Sequence, residues 1–215
     1  MKRIVLRWSV YLFGLLSLAF GIALSIKTNL GTSPVSAVAF SISAIWGLNL
    51  GVVNFAVYAV YVAAQFALRG KNSRVIDLFQ LAVSFVFSWS LDKLVAVLSY
   101  DSTQHGLVFN FAMLLVGIVF IGVGVSASVQ MHLIPNPGDG IVQAIAECAG
   151  WEQGFAKNIF DACCVCFTVA VGLVFRGTLV GIGIGTLVAA LGVGRVVALT
   201  NRFAMKKLRA AAGVT

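Results

Sequence analysis

Acidic residues are scarce in this chain. Only 7 of its 215 residues are Asp or Glu, against 15 Lys or Arg, and 10% are charged in all. A soluble core of this length needs a charged shell, so the shortage excludes an ordinary water-soluble domain. Proline is scarcer still: its 3 copies fall at Pro34, Pro135 and Pro137, in two short breaks between apolar runs. The two histidines, His105 and His132, sit at opposite ends of one apolar run and cannot share a metal ion. Of the 4 cysteines, Cys163, Cys164 and Cys166 crowd one apolar segment and Cys148 ends another, which is no disulfide framework. They read as small helix-packing side chains, with a soft-metal site as the alternative because Cys163 and Cys166 stand about one turn apart. There is no Walker motif, hydrolytic triad, zinc spacing or haem signature, so neither an enzyme nor a cofactor or metal site is expected. Nucleic-acid binding is not expected either, because the basic residues sit at the ends of apolar segments, where membrane topology explains them.

What the chain has in quantity is hydrocarbon, with 60% hydrophobic residues and a mean hydropathy of +1.00. Spans of about 20 residues, enough to cross ~30 Å of hydrocarbon at 1.5 Å per residue, fit residues 8–26, 51–68, 75–100, 106–129, 155–175 and 179–200. The first of these lacks a small-residue cleavage pattern and reads as a retained span. Residues 35–46 and 138–149 are also apolar, but each makes only ~18 Å of helix, about half the hydrocarbon thickness. Treating these two as re-entrant half-helices leaves only Lys27, Lys93 and Arg176 outside, with the other basic residues, Arg74 among them, inside. Letting both cross would carry the RGKNSR loop outside, against the positive-inside rule. The expected fold is therefore an all-α integral membrane protein with six transmembrane helices plus two short re-entrant or broken half-helices, both termini cytoplasmic.

The chain also repeats itself. At an offset of 103, Gly14 pairs with Gly117, Gly21 with Gly124, Leu30 with Leu133, Pro34 with Pro137 and Gly47 with Gly150. After a four-residue insertion the offset becomes 107, pairing Asn54 with Asp161 and Arg69-Gly70 with Arg176-Gly177. Residues 1–100 form the first repeat. Residues 101–215 form the second, with a basic tail. Three spans per repeat is an odd number, so the second copy enters the membrane from the opposite side and the topology is inverted.

Breaks inside a membrane point to a site. Proline suits the first turn of a helix, and Ser33 and Asn136 stand where a capping residue would precede it. Two half-helices would then present free N–H groups and positive dipole ends near the midplane, where irregular backbone is tolerated only beside a cavity or within protein. Asp139 falls in the first turn of the second half-helix, and Ser36 holds the matching place in the first. Asp139 serves as a simple cap or as one acidic wall of a pocket. Asp161 is sharper, because an unpaired aspartate deep in a span costs ~2.5–3.5 kcal/mol; an ion pair with Lys157 four residues earlier is the structural alternative. Gln143 and Glu147 continue the face of Asp139, and Glu147 reads as a solvated end. Arg74 and Asp77 read as interface residues. The glycines of GTLVGIGIGT read as helix-packing positions.

With GIALSIKTNLGTSP, NPGDGIVQAIAECAG, NIFD and GIGIGTLVAALGVG in view, residues 7 to 200 resemble the YczE/YitT-like family of small bacterial membrane proteins. In that family a glycine-rich first span is followed by an L-G-x-x-P-x-D break, a short helix and a later G-x-G-T segment. Leu30, Gly31 and Pro34 fit, with Ser36 in place of the acid; Pro137, Asp139, Gly183, Gly185 and Thr186 also fit. The resemblance implies the fold and a bacterial inner-membrane location.

The functional expectation is a small secondary transporter or facilitator for an amine-bearing, zwitterionic or carboxylate solute, with coupling to protons as an option. Thr32, Ser33, Ser36, Asn54, Asn136, Asp139, Gln143 and Asp161 are the candidate site residues, and one repeat rocks against the other. The alternative is a non-transporting membrane subunit of a larger complex. Expected partners are a small solute, membrane lipid and a second copy of the chain.

Overall fold

Pro34 and Pro137 each open a helix at its first position, as their fixed φ and missing N–H favour. The computed structural model describes residues 2–73 and 75–213, so Arg74, counted above among the inside charges, lies outside the described residues. In chain order the helices are α1 (Lys2–Lys27), α2 (Pro34–Trp46), α3 (Leu50–Arg69), α4 (Phe79–Val97), α5 (Leu107–Gln130), α6 (Pro137–Ala149), α7 (Gln153–Arg176), α8 (Ile184–Thr200) and α9 (Lys206–Ala212). Short 3-10 turns precede α4 and α5, and a π turn joins α8 to α9. Among the described residues there is no strand. Among the described residues six helices are long and apolar enough to cross a membrane, whereas α2 and α6, at 13 residues each, are not. The protein is a multi-pass membrane protein.

The two short helices end alike. Gly47 and Gly150 close α2 and α6 in the left-handed region at φ 63 and 67, which only glycine adopts without strain. Two residues later Asn49 and Glu152 open α3 and α7. Ahead of the breaks, Asn29 and His132 take left-handed φ values of 54 and 47 at the same repeat position. The last span starts later than hydropathy suggests: Thr178–Ile182 is irregular, and α8 begins only after Gly183.

The chain falls into two compact units, each drawing on both halves of the sequence. One contains α1, the end of α4, α5, α8 and α9. In it α1 and α5 touch backbone to backbone. A Cβ on Gly14 would lie 2.9 Å from Gly124 O, and one on Gly21 2.5 Å from Gly117 O. Early on α1 meets late on α5, so the helices run antiparallel, and Ser17 Oγ donates to Phe120 O at 2.9 Å between these contacts. Small residues seven apart place every second turn on the same face and allow this approach without a solvent-driven hydrophobic effect. Helix α8 packs on α5 through Leu114, Ile118 and Ala189. Its glycines serve a closer purpose: Gly185 N–H donates to Leu30 O at 2.8 Å, and a Cβ on Gly183 would lie 2.5 Å from that same oxygen. The loop after α1 thus supplies an acceptor for a free donor at the start of α8.

The other unit contains α2, α3, most of α4, α6 and α7. Here α2 packs on α7 and α3 on α6, with hairpin contacts between α2 and α3 and between α6 and α7.

Candidate functional site

The second unit carries the chemistry. On α3, Asn54, Tyr58, Tyr61, Gln65 and Arg69 follow at three- and four-residue steps and so share a face. All but Tyr61 are buried. Such polar residues at helical spacing inside an apolar span are costly unless paired, and each has a partner.

The first turns of α2 and α6 meet. A Cβ on Gly138 would sit 3.2 Å from Val35 Cγ1, and these two residues occupy the same repeat position. The two turns differ in capping. Asn136 Oδ1 accepts from the Gly138 N–H at 3.0 Å, and Asp139, partly buried, follows in the same turn. On α2 the Ser33 hydroxyl does not cap; it donates to Ser36 Oγ at 2.9 Å. Tyr58 of α3 stands beside the Asn136 and Asn54 side chains and within electrostatic reach of Asp139. Asn54 Nδ2 donates to Ser88 Oγ of α4 at 2.8 Å.

On α7, Lys157 and Asp161 form an ion pair of 3.2 Å, partly exposed, and both act electrostatically on Asp139. Tyr61 lies 3.8 Å from Cys164 Sγ and within the field of Asp161, with Phe160 against its ring at 5.3 Å. Of the residues singled out in the sequence, Asn54, Asn136, Asp139 and Asp161 therefore gather around Tyr58 and Tyr61. Ser33 and Ser36 line the opening turn of α2. Gln143 lies one turn beyond Asp139, partly buried. Thr32 belongs to the first unit, where its hydroxyl is buried without a hydrogen-bond partner.

Sequence reading missed a second feature of this unit. Gln65 and Gln80 exchange amide hydrogen bonds, 3.1 Å each way, and Gln65 Nε2 also reaches Pro137 O at 3.3 Å. Gln80 Nε2 donates to Asp77 Oδ1 at 3.2 Å. Asp77 is ion-paired with Arg69 at 2.8 Å, and Arg69 reaches Glu147 at 2.9 Å. A continuous polar chain therefore runs from the first residue of α6 to its last turn. Arg69 is buried, not a loop charge, because it neutralises a buried Asp77; Glu147 is half-exposed and paired, not merely solvated. The signal was the periodic polar face of α3. No group of three metal-ligating side chains comes together among the described residues.

Residues 5–202 match a family described as a family of unknown function, DUF6198. The chain belongs to that family. It is 30% identical over 158 residues to the uncharacterized membrane protein YczE of Bacillus subtilis (strain 168), covering 73% of this chain and 71% of that protein. It is also 24% identical over 182 residues to the uncharacterized protein YyaS of the same organism, covering 85% and 86%. No solved structure matches.

Proposed function

We propose that this member of the family is a small secondary transporter or facilitator for an amine-bearing polar solute. The observation that carries the reading is the meeting of two proline-led half-helices at Val35 and Gly138, with Asn54, Tyr58, Asn136 and Asp139 grouped at that point. Half-helices that start inside a membrane are tolerated where they line a binding cavity.

Charge selects the solute class. The positive end of α6 is already used by Asn136 and by Asp139, so it is a poor anion site. Lys157, the cation acting on Asp139, is itself paired with Asp161. Two carboxylates against one ammonium, beside tyrosine rings, suit a ligand cation.

Inverted repeats support alternating access. Contacts come in exchanged pairs: Gly14 with Gly124 and Gly21 with Gly117, α2 with α7 and α3 with α6. That is the pattern a pseudo-two-fold axis in the membrane plane produces. The charge distribution supports cytoplasmic termini.

The test is uptake of labelled amines by purified protein in vesicles. Asp139→Asn and Asp161→Asn are expected to lose saturable uptake while the protein still assembles and unfolds at nearly the unmodified midpoint. Full uptake by both variants would remove these carboxylates from solute binding.

A further inference from the structure

Among the described residues the polar chain beneath α6 has no equivalent beneath α2, although the sequence around the two repeats. Where α3 offers Gln65 to the opening turn of α6, α7 has Gly172, with no side chain to donate. Where Arg69 meets the carboxylate of Glu147, Arg176 meets the Ala44 and Ile45 carbonyls at 3.3 and 3.1 Å, in an exposed position. Residue 44 is the repeat position of 147, so the two arginines close corresponding ends of the two half-helices with unlike acceptors. Where Gly140 presses on the Gln65–Gln80 pair, α2 has Ala37. Helix α6 is thus tied by side chains at both ends. Among the described residues, helix α2 is tied by side chains from other helices at its end, by one exposed arginine and by the ring contact of Trp46 with Phe175 at 5.0 Å.

From this we infer that Arg69 and Gln65 are positioning residues that clamp the acidic half-helix α6, so that α2 is the half-helix that moves. The inference rests on the transport reading for its purpose, since a fixed α6 keeps Asp139 in place while α2 opens and closes the site. Its mechanics do not depend on transport. A buried, fully paired network opens only by breaking several bonds together, whereas a backbone held by apolar contacts and one solvated arginine opens locally.

Hydrogen–deuterium exchange on the protein in lipid nanodiscs, read by mass spectrometry over residues 34–46 and 137–149, tests it. Amides of α2 are expected to exchange roughly tenfold faster than their repeat counterparts in α6. Gln65→Leu is expected to bring α6 close to the α2 rate while leaving α2 unchanged. Arg69→Met is expected to do so more strongly, and Arg69→Lys to restore part of the protection. If Arg69→Met fails to fold, Gln65→Leu and Arg69→Lys decide the matter. An α6 that exchanges as fast as α2 in the unmodified protein, or variants that speed both half-helices equally, would overturn the clamp. A protein that shows the asymmetry but moves no amine leaves the clamp standing and removes the transport reading.

Discussion

The contact of α3 with α6 and that of α2 with α7 join segments that correspond under the sequence offsets of 103 and 107, yet one is held by a buried ionic and amide chain and the other by apolar packing and one exposed arginine. Repeat symmetry reproduces what the backbone needs: proline at the start of the half-helix, left-handed glycine at its end, arginine at the end of the span that follows. It does not reproduce the side chains that pair across the contact. A network of buried charges is seldom retained for stability alone, because its desolvation cost offsets much of the Coulomb gain. Its presence on one side only is the asymmetry on which the proposed clamp rests.

That difference can be broken from either side. Arg69→Ala leaves Asp77 buried without its counter-charge and is expected to destabilise by ~3–5 kcal/mol, the largest effect in the molecule, read by unfolding in mixed micelles. Gln80→Leu is expected to cost ~1–3 kcal/mol, because Gln65 and Asp77 each lose a partner. Gly140→Ala should fall in the same range of ~1–3 kcal/mol, since its Cβ would lie 2.6 Å from Gln65 Oε1. The equivalent change runs the other way in α2, where Ala37→Gly is expected to cost ~1–2 kcal/mol, from helix entropy and the loss of a buried methyl. Arg176→Ala, which loses exposed bonds to a helix end, should cost ~0.3–1 kcal/mol. If Arg176→Ala matched Arg69→Ala, the two contacts would be equivalent in energy and the comparison would fail.

Much of the frame was legible in the chain. Hydropathy located six long apolar helices and two short ones, since length and apolar composition are properties of single segments. The repeat offsets paired Pro34 with Pro137 and Gly47 with Gly150, the positions that open and close the two short helices. The last span was misjudged at its start, because residues 178–182 are apolar enough to belong to a helix and are kept out of it by glycines that need tertiary contacts to be read. In the site, the eye went to Asp139 and Asp161, whose charges stand out against lipid. Tyr58, Gln65 and Gln80 did not, because amides and phenols raise little alarm one at a time. Asp77 reads in the sequence as an interface residue and Arg69 as one charge of the RGKNSR loop, because neither shows its partner locally.

By itself the sequence determined which segments become long apolar helices and where proline and glycine break the chain between them, because crossing length and helix capping are local properties. The local pair of Lys157 with Asp161 was legible in the sequence, but tertiary structure decided which distant charges meet. Arg69 and Glu147 are 78 residues apart, and nothing local distinguishes an arginine that turns inward from one facing water. Only the packing of α3 on α6 fixes the dielectric around it, and with that the strength of every bond in the chain from Pro137 to Glu147.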